Sequence, residues 1–407
     1  MKIRGFSLIV IYIALTASVA AQNLNVVSGQ DTTRRPITTA VPFLMIATDA
    51  RAGAMGDTGA ATSPDANATN WNIAKLAFIQ NDIGFSLSYT PWLAKIINDM
   101  SLTYLSGYYK INREQSVAIS MNYFDLGDIQ FTDNQGQDLQ NFNPREFAFS
   151  GSYARLLTDD MSVGITMKYI LSNLTGNVFN STNDAQAGQS LAVDIGWYWN
   201  KDIGQKSNLA LGATITDIGN KITYSQETQR NFIPTTLRVG SAYKLGLDPY
   251  NSLTFALDFN KLMVPSPPVY EVDENGNFVR DQDGNLVIAR GKDPNRSLFS
   301  GMFGSFTDAP DGASEEFKEV MISSGIEYWY KDLFAVRTGY FWEHYDKGDR
   351  KYFTMGLGLR YNVFGIDFAY LVPQRREHPL AETLRFTLHF NFDNKQGEES
   401  ILNEETN

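Results

Sequence analysis

Residues 161–169 read MSVGITMKY. Met161, Val163, Ile165, Met167 and Tyr169 are large and apolar, whereas Ser162, Gly164, Thr166 and Lys168 between them are small or polar. Successive side chains of an extended chain point to opposite faces, so a period of two predicts a strand with one greasy and one polar face. The polar face is small and hydroxylic rather than charged throughout. That suits a wall with lipid on one side and a lumen on the other.

The pattern continues in both directions. It precedes this stretch at 83–89, 102–108, 117–123 and 147–153, and follows it at 191–199, 209–215, 237–245, 253–259, 320–330, 334–342, 353–361, 364–370 and 384–392. The reading is an all-β chain forming a transmembrane antiparallel β-barrel of about fourteen strands, an even number as in bacterial outer-membrane barrels. Tyr and Trp near strand ends fit interfacial girdles. Unpaired backbone groups are not tolerated in hydrocarbon, so 384–392 is expected to close on 83–89.

The connections alternate in length. Short ones fall at 111–115, 156–160, 202–207, 246–251, 331–332 and 362–363; longer ones fall at 90–99, 125–145, 173–189, 217–232, 261–319, 343–351 and 372–381. Short turns on one side and long loops on the other is the outer-membrane arrangement, with the short ones periplasmic. A soluble sandwich gives no reason for that sorting. Strand parity then predicts both termini in the periplasm and 261–319 as a long extracellular loop.

That interval is longer than any turn needs, and such loops are usually functional or disordered. Its first part, 269–296, is polar and contains DENGNF (273–278) and DQDGNL (281–286). Calcium loops need a spacing these do not meet, since Gly284 directly follows Asp283 and no Glu closes the loop. A small hairpin turning at Asn275-Gly276 is the expectation. The second part, SLFSGMFGSFTDAPDG (297–312), is apolar and glycine-spaced. Solvated linkers are poor in aromatics, and exposed apolar patches mark interaction sites. Phe299, Met302, Phe303, Phe306, Asp308 and Pro310 are therefore the candidate partner-binding residues.

Composition narrows the function. Aromatics are 13% of the chain, with 26 Phe, 20 Tyr and 32 Gly against 14 Pro, a mix that favours strands and tight turns. A net charge of −11, with the excess acid in loops and tail, argues against nucleic acid. There is no Cys, so neither disulfides nor a thiolate site. His344, His378 and His389 lack metal-ligand spacing. No nucleophile elbow, phosphate loop or paired-carboxylate signature appears, so neither a cofactor, a metal nor a catalytic residue is assigned. Inward Asp194, Asp258, Asp367, Arg238, Arg337, Arg360 and Arg385 are expected in lumen ion pairs.

Residues 1–21 read as a signal peptide: Lys2 and Arg4, an apolar run over 6–19, then small residues for cleavage after Ala20 or Ala21. The run is too short for a spanning helix. Residues 22–80 form an N-terminal arm and a plug segment, 81–393 the barrel, and 394–407 an acidic periplasmic tail. Residues 49–77, rich in Ala and Gly without alternation, fit a packed inner plug with a short helix or two; composition leaves a periplasmic linker equally open.

Two stretches carry a family resemblance. Residues 50–77 resemble the start of FadL-type barrels, where Arg-x-x-x-Met-Gly precedes Asp-Ala-x-Ala-x-x-x-Asn and Pro-Ala. Arg51, Met55, Gly56, Asp65, Ala66, Ala68 and Asn72 match, and Ile73 replaces the usual Pro. GMFGSFTDAPDGASEEFKEV (301–320) and HPLAETLRFTLHF (378–390) resemble the PorV, or LptO, outer-membrane family of the type IX secretion system, over essentially the whole mature chain. Phe390 and Phe392 resemble the aromatic ending that barrel-assembly machinery recognises, though here a tail follows.

The resemblance implies a non-enzymatic outer-membrane barrel. Such proteins accept cargo from the large translocon barrel by its C-terminal signal domain. They deliver it to a surface sortase that attaches it to lipopolysaccharide. The partners implied are that translocon, cargo signal domains, the sortase and outer-membrane lipid. Two other readings stand beside it. A FadL-like transporter of hydrophobic small molecules predicts a continuous apolar pocket behind the plug. A hydrolase would need His344 and His378 to meet at the outer rim.

Overall fold

The computed structural model describes residues 34–93, 99–132, 137–174, 186–224, 230–374 and 383–393. Its strands begin with β1 Ile83–Pro91, β2 Ser101–Asn112 and β3 Gln115–Asp125, followed by a small hairpin of β4 Ile129–Thr132 and β5 Asp138–Phe142. Then come β6 Arg145–Thr158, β7 Met161–Asn173, β8 Gly188–Asp202, β9 Ser207–Gly219, β10 Thr236–Gly246 and β11 Asn251–Leu262. A second hairpin pairs β12 Val269–Tyr270 with β13 Ile288–Arg290. The series ends with β14 Val320–Tyr330, β15 Phe334–Trp342, β16 Lys351–Tyr361, β17 Phe364–Pro373 and β18 Leu384–Phe392.

Apart from the two hairpins, these strands form one closed antiparallel barrel, each hydrogen-bonded to its neighbour in sequence. β18 closes on β1 with Phe85 opposite Phe390 and Ile83 opposite Phe392. The expected strand number and closing pair are both found. Closure leaves no unpaired edge, the condition a spanning sheet must meet. Along β7, Val163, Ile165, Met167 and Tyr169 face outward and exposed, while Ser162 and Thr166 face inward and are fully buried.

Burial of the small inward face has a definite cause: the segment before β1 fills the lumen. It contains α1 (Ala50–Ala54), α2 (Ala68–Trp71) and two 3-10 turns, Pro42–Met45 and Ile73–Phe78. Asp49 caps α1, accepting from Ala52 N at 2.9 Å, and also accepts from Trp71 Nε1 at 2.6 Å. Ile73, Leu76 and Ala77 pack against Tyr108, Ala118 and Ala154, toward the short-turn end. Ile37 and Met45 pack against Leu262, Met321 and Phe341, near the opposite end.

From Arg35 to β1 the inner segment therefore traverses the barrel; the residues before 34, on which the expectation for the N-terminus falls, lie outside the described residues. Asp393 lies at the short-turn end, where Asn81 Nδ2 donates to it at 2.8 Å. Arg35 does not. Its backbone N–H donates to Asp346 O at 3.1 Å, in the long connection between β15 and β16. Parity counts strand crossings only; this chain makes one more passage, inside the wall, before β1.

Candidate functional site

Two parts of the molecule hold the sequence-derived candidates: the plug and the mouth formed by the long connections. In the plug, Arg51 uses its whole guanidinium. Nε and Nη2 donate to Glu327 of β14 at 2.9 and 2.8 Å, Nη1 to Asp65 at 2.9 Å, and both Nη atoms reach Ser63. Glu327 also accepts from Arg337 Nε at 2.7 Å, and Arg337 donates to Asp367 at 2.7 Å. Arg360 and His389 complete Asp367, at 2.6 and 2.7 Å. Buried charges survive only when paired, and this chain of pairs links plug to wall.

Met55 and Gly56 touch the wall where β14 and β15 carry Gly325 and Gly339. Gly56, at φ +67°, donates to Thr354 Oγ1 at 2.9 Å. Asn72 donates to Ala60 O and to Trp197 O at 2.9 and 3.0 Å, tying plug to β8. Asp258 accepts from Gly59 N and Ala60 N at 2.7 and 2.9 Å rather than from a cation, and Arg238 donates to Asn260 and lies over the Trp71 ring. Asp194 pairs with Lys168. Lys75 Nζ of the plug donates to Gly59 O at 2.7 Å.

At the mouth, the apolar piece of the long interval is not an irregular loop. It folds as α3 (Leu298–Gly304), followed by α4 (Ala313–Lys318). Phe299 and Phe303, four apart on one helical face, are 63% and 67% exposed. Phe306 is exposed too. Met302 is 2% exposed and points into the protein, so it anchors α3 instead of offering a contact. Asp308 is equally buried: it accepts from Ser266 N, and burial pushes its carboxyl above the usual range. Pro310 is half-buried beside Gly291. Phe317 of α4, 78% exposed, joins the surface and escaped the sequence reading. Its isolation between Glu316 and Lys318 in a polar helix was the available signal.

Ion pairs hold α4 beneath this patch. Glu315 accepts from Arg35 and from Lys347 Nζ at 2.7 Å. Glu319 accepts from Lys347 at 2.9 Å and from Ser266 Oγ at 2.5 Å, and Lys261 joins Glu316 at 3.0 Å. The polar part of the interval forms the β12–β13 hairpin with two tandem turns. Asp273 accepts from Asn275 N and Asn277 N at 2.9 and 2.8 Å, and Asp281 repeats this with Asp283 and Asn285. These backbone donors lower both carboxyls. Among the described residues no group of three or more acidic or His side chains is arranged for a metal ion. His344 accepts from Asp346 N at 3.1 Å; His378 lies outside the described residues.

Between arm and wall is a cavity of about 410 Å³. Phe43, Ile46, Trp92 and Phe124 line one part of it, and Lys168, Arg238 and Arg385 another. It is not the continuous apolar pocket that small-molecule transport predicts.

A family model described as type IX secretion system protein PorV matches residues 29–269. No curated protein matches the chain. Solved structures with similarity include the toluene transporter TbuX of Ralstonia pickettii, 12% identical, covering 84% of this chain and 98% of that one with a TM-score of 0.46. The toluene transporter TodX of Pseudomonas putida is 11% identical, covering 83% and 95% at 0.46. A FadL homologue of Pseudomonas aeruginosa is 10% identical, covering 88% and 100% at 0.45.

Proposed function

This chain belongs to the PorV family of type IX secretion system proteins, and from that premise we propose that it is a docking and shuttle barrel. It is an outer-membrane β-barrel. Its long connections face the cell exterior and its last strand ends toward the periplasm, following the usual placement of short turns. The mouth takes hold of secreted cargo by the C-terminal signal domain as it leaves the translocon barrel. It then releases the cargo to the surface sortase and its attachment complex.

The observation that carries this reading is the aromatic surface of α3 and α4. Phe299, Phe303, Phe306 and Phe317 are exposed, yet α4 is pinned by buried ion pairs and α3 by its buried Met302. Rigid exposed aromatics are what interface anchors are made of, because little entropy is lost when they are covered. The test is affinity capture from solubilised outer membrane. The wild-type protein recovers translocon or cargo, and Phe299→Ser/Phe303→Ser recovers neither. Equal recovery by both sinks the reading.

A second reading, passage of hydrophobic small molecules, is favoured only by the lumen cavity. Loss of uptake in a deletion strain with secretion intact would select it.

A further inference from the structure

We propose that Arg35 is a positioning residue of the docking surface, and that the arm threaded through the barrel is the strut that presents α3 and α4. This rests on the docking reading above. α3 and α4 are 7 and 6 residues long. Helices this short do not hold themselves in water, so their placement must come from contacts outside them. Neither helix has a side-chain cap from its N-cap residue.

The arm supplies those contacts at three points. The Arg35 guanidinium grips Glu315 of α4 with two parallel bonds at 3.1 and 2.8 Å, and reaches Asp311 at 2.5 Å. Such a fork is the strongest and most directional of the protein ion pairs. Its backbone N–H holds Asp346 in the neighbouring connection. Ala40 N donates to Phe232 O at 2.8 Å, and the Phe232 ring lies directly against Gly301 of α3. One segment thus touches the connections after β9, β11 and β15, and sets both helices relative to one another.

The charges facing Glu315 show why Arg35 matters. Around it stand Glu316, Glu319 and Asp311, with Lys347, Lys261 and Arg290 as the other cations. Lys347 is shared with Glu319, and Arg290 serves Asp311. Without Arg35, Glu315, 3% exposed, keeps the Asp311 N–H and half of one ammonium. A buried carboxylate left so poorly paired drives the segment open.

The test uses the full chain in its outer membrane, with two readouts: protease cleavage within 290–319, and cargo recovered by affinity capture. Arg35→Gln is expected to keep a heat-modifiable barrel, to raise cleavage by about tenfold or more, and to lower recovered cargo. Arg35→Lys restores part of both. The native chain has no Cys, so Arg35→Cys/Glu315→Cys offers a unique pair of thiols. That variant lacks the arm's grip on α4 and is cleaved more than the native chain until a bis-maleimide, each ring of which adds one thiol across its C=C bond, bridges it; protection and capture are then regained. Native protection in Arg35→Gln overturns the strut. Raised cleavage with undiminished capture overturns the positioning role and leaves the docking reading standing. Undiminished capture in Phe299→Ser/Phe303→Ser overturns the docking reading itself, and the positioning role with it.

Discussion

Arg35 and Glu315, 280 positions apart, meet as a two-pronged ion pair, Nε to Oε1 at 3.1 Å and Nη2 to Oε2 at 2.8 Å. The pair joins a segment that precedes the first strand to a helix that precedes the tenth barrel strand.

One consequence is a pH dependence. Burial alone would raise the Glu315 carboxyl, but hydrogen bonds from Arg35, Lys347 and Asp311 N outweigh it and hold it at about 2. Its ordinary value is 4.5. The opened segment therefore binds the proton first as pH falls. Protection of 311–319 is full above about pH 4.5 and is lost progressively as pH approaches 2. Hydrogen exchange, corrected for intrinsic rate, measures this. Glu315→Gln is expected to show a flat profile from pH 7 to 3, and an equally sloped one would exclude Glu315 as the cause.

Arg51→Leu strips Asp65 of its closest cation and leaves Glu327 to Arg337 alone. Breaking a buried pair from one side costs about 3–5 kcal/mol. The heat-modification temperature of the barrel in detergent should fall accordingly. Arg51→Lys is not expected to rescue it, because one ammonium cannot serve Asp65, Ser63 and both Glu327 oxygens together.

At Gly339 the plug backbone, Met55 C and Gly56 N, occupies the place a side chain would take. Backbone cannot swing aside, so Gly339→Ala must push the plug off the wall. A cost of about 1–3 kcal/mol is expected, seen as a lower unfolding temperature. An unchanged temperature would mean that the plug is loosely seated there.

Two neighbours in α3 should behave oppositely. Met302→Ala opens a hole beneath the helix, at about 2 kcal/mol or more, and raises protease cleavage of 290–319. Phe299→Ser, with its ring already exposed, should leave cleavage unchanged and lower capture. Identical effects from the two would contradict their opposite orientations.

Phe390 stacks on Phe85 at 4.7 Å and meets Phe364 edge-on at 5.5 Å, across both neighbours of the closing strand. Phe390→Ala loses two aromatic pairs, about 1–3 kcal/mol together. Denaturant unfolding in micelles should register that loss, and Phe390→Tyr should largely avoid it.

Much of this molecule is readable because a barrel wall imposes one simple rule on its sequence. Every second side chain meets lipid, so stretches such as 161–169 and 384–392 display the fold locally, and the lengths of the connections sort them to two ends of the barrel. The Ala- and Gly-rich composition of 49–77 leaves a plug and a periplasmic linker equally open; the structure places this segment inside the barrel, where it meets the wall on all sides and small residues fit. The spacing of Phe299 and Phe303 at one helical face was present in the sequence as well, though Met302 between them hid it.

What the sequence could not determine is where the plug points and what it grips. Strand parity follows from pairing between neighbours and says nothing about a chain that crosses without pairing. Arg35 could find Glu315, and Arg51 could find Glu327, only after closure had brought distant strands around them. Those partners are set by three-dimensional proximity inside a low-dielectric lumen, where an unpaired charge is too costly to persist. The wall was thus written locally, residue by residue. The position of Arg35 at the long-connection end, beside α4, was decided by the tertiary structure.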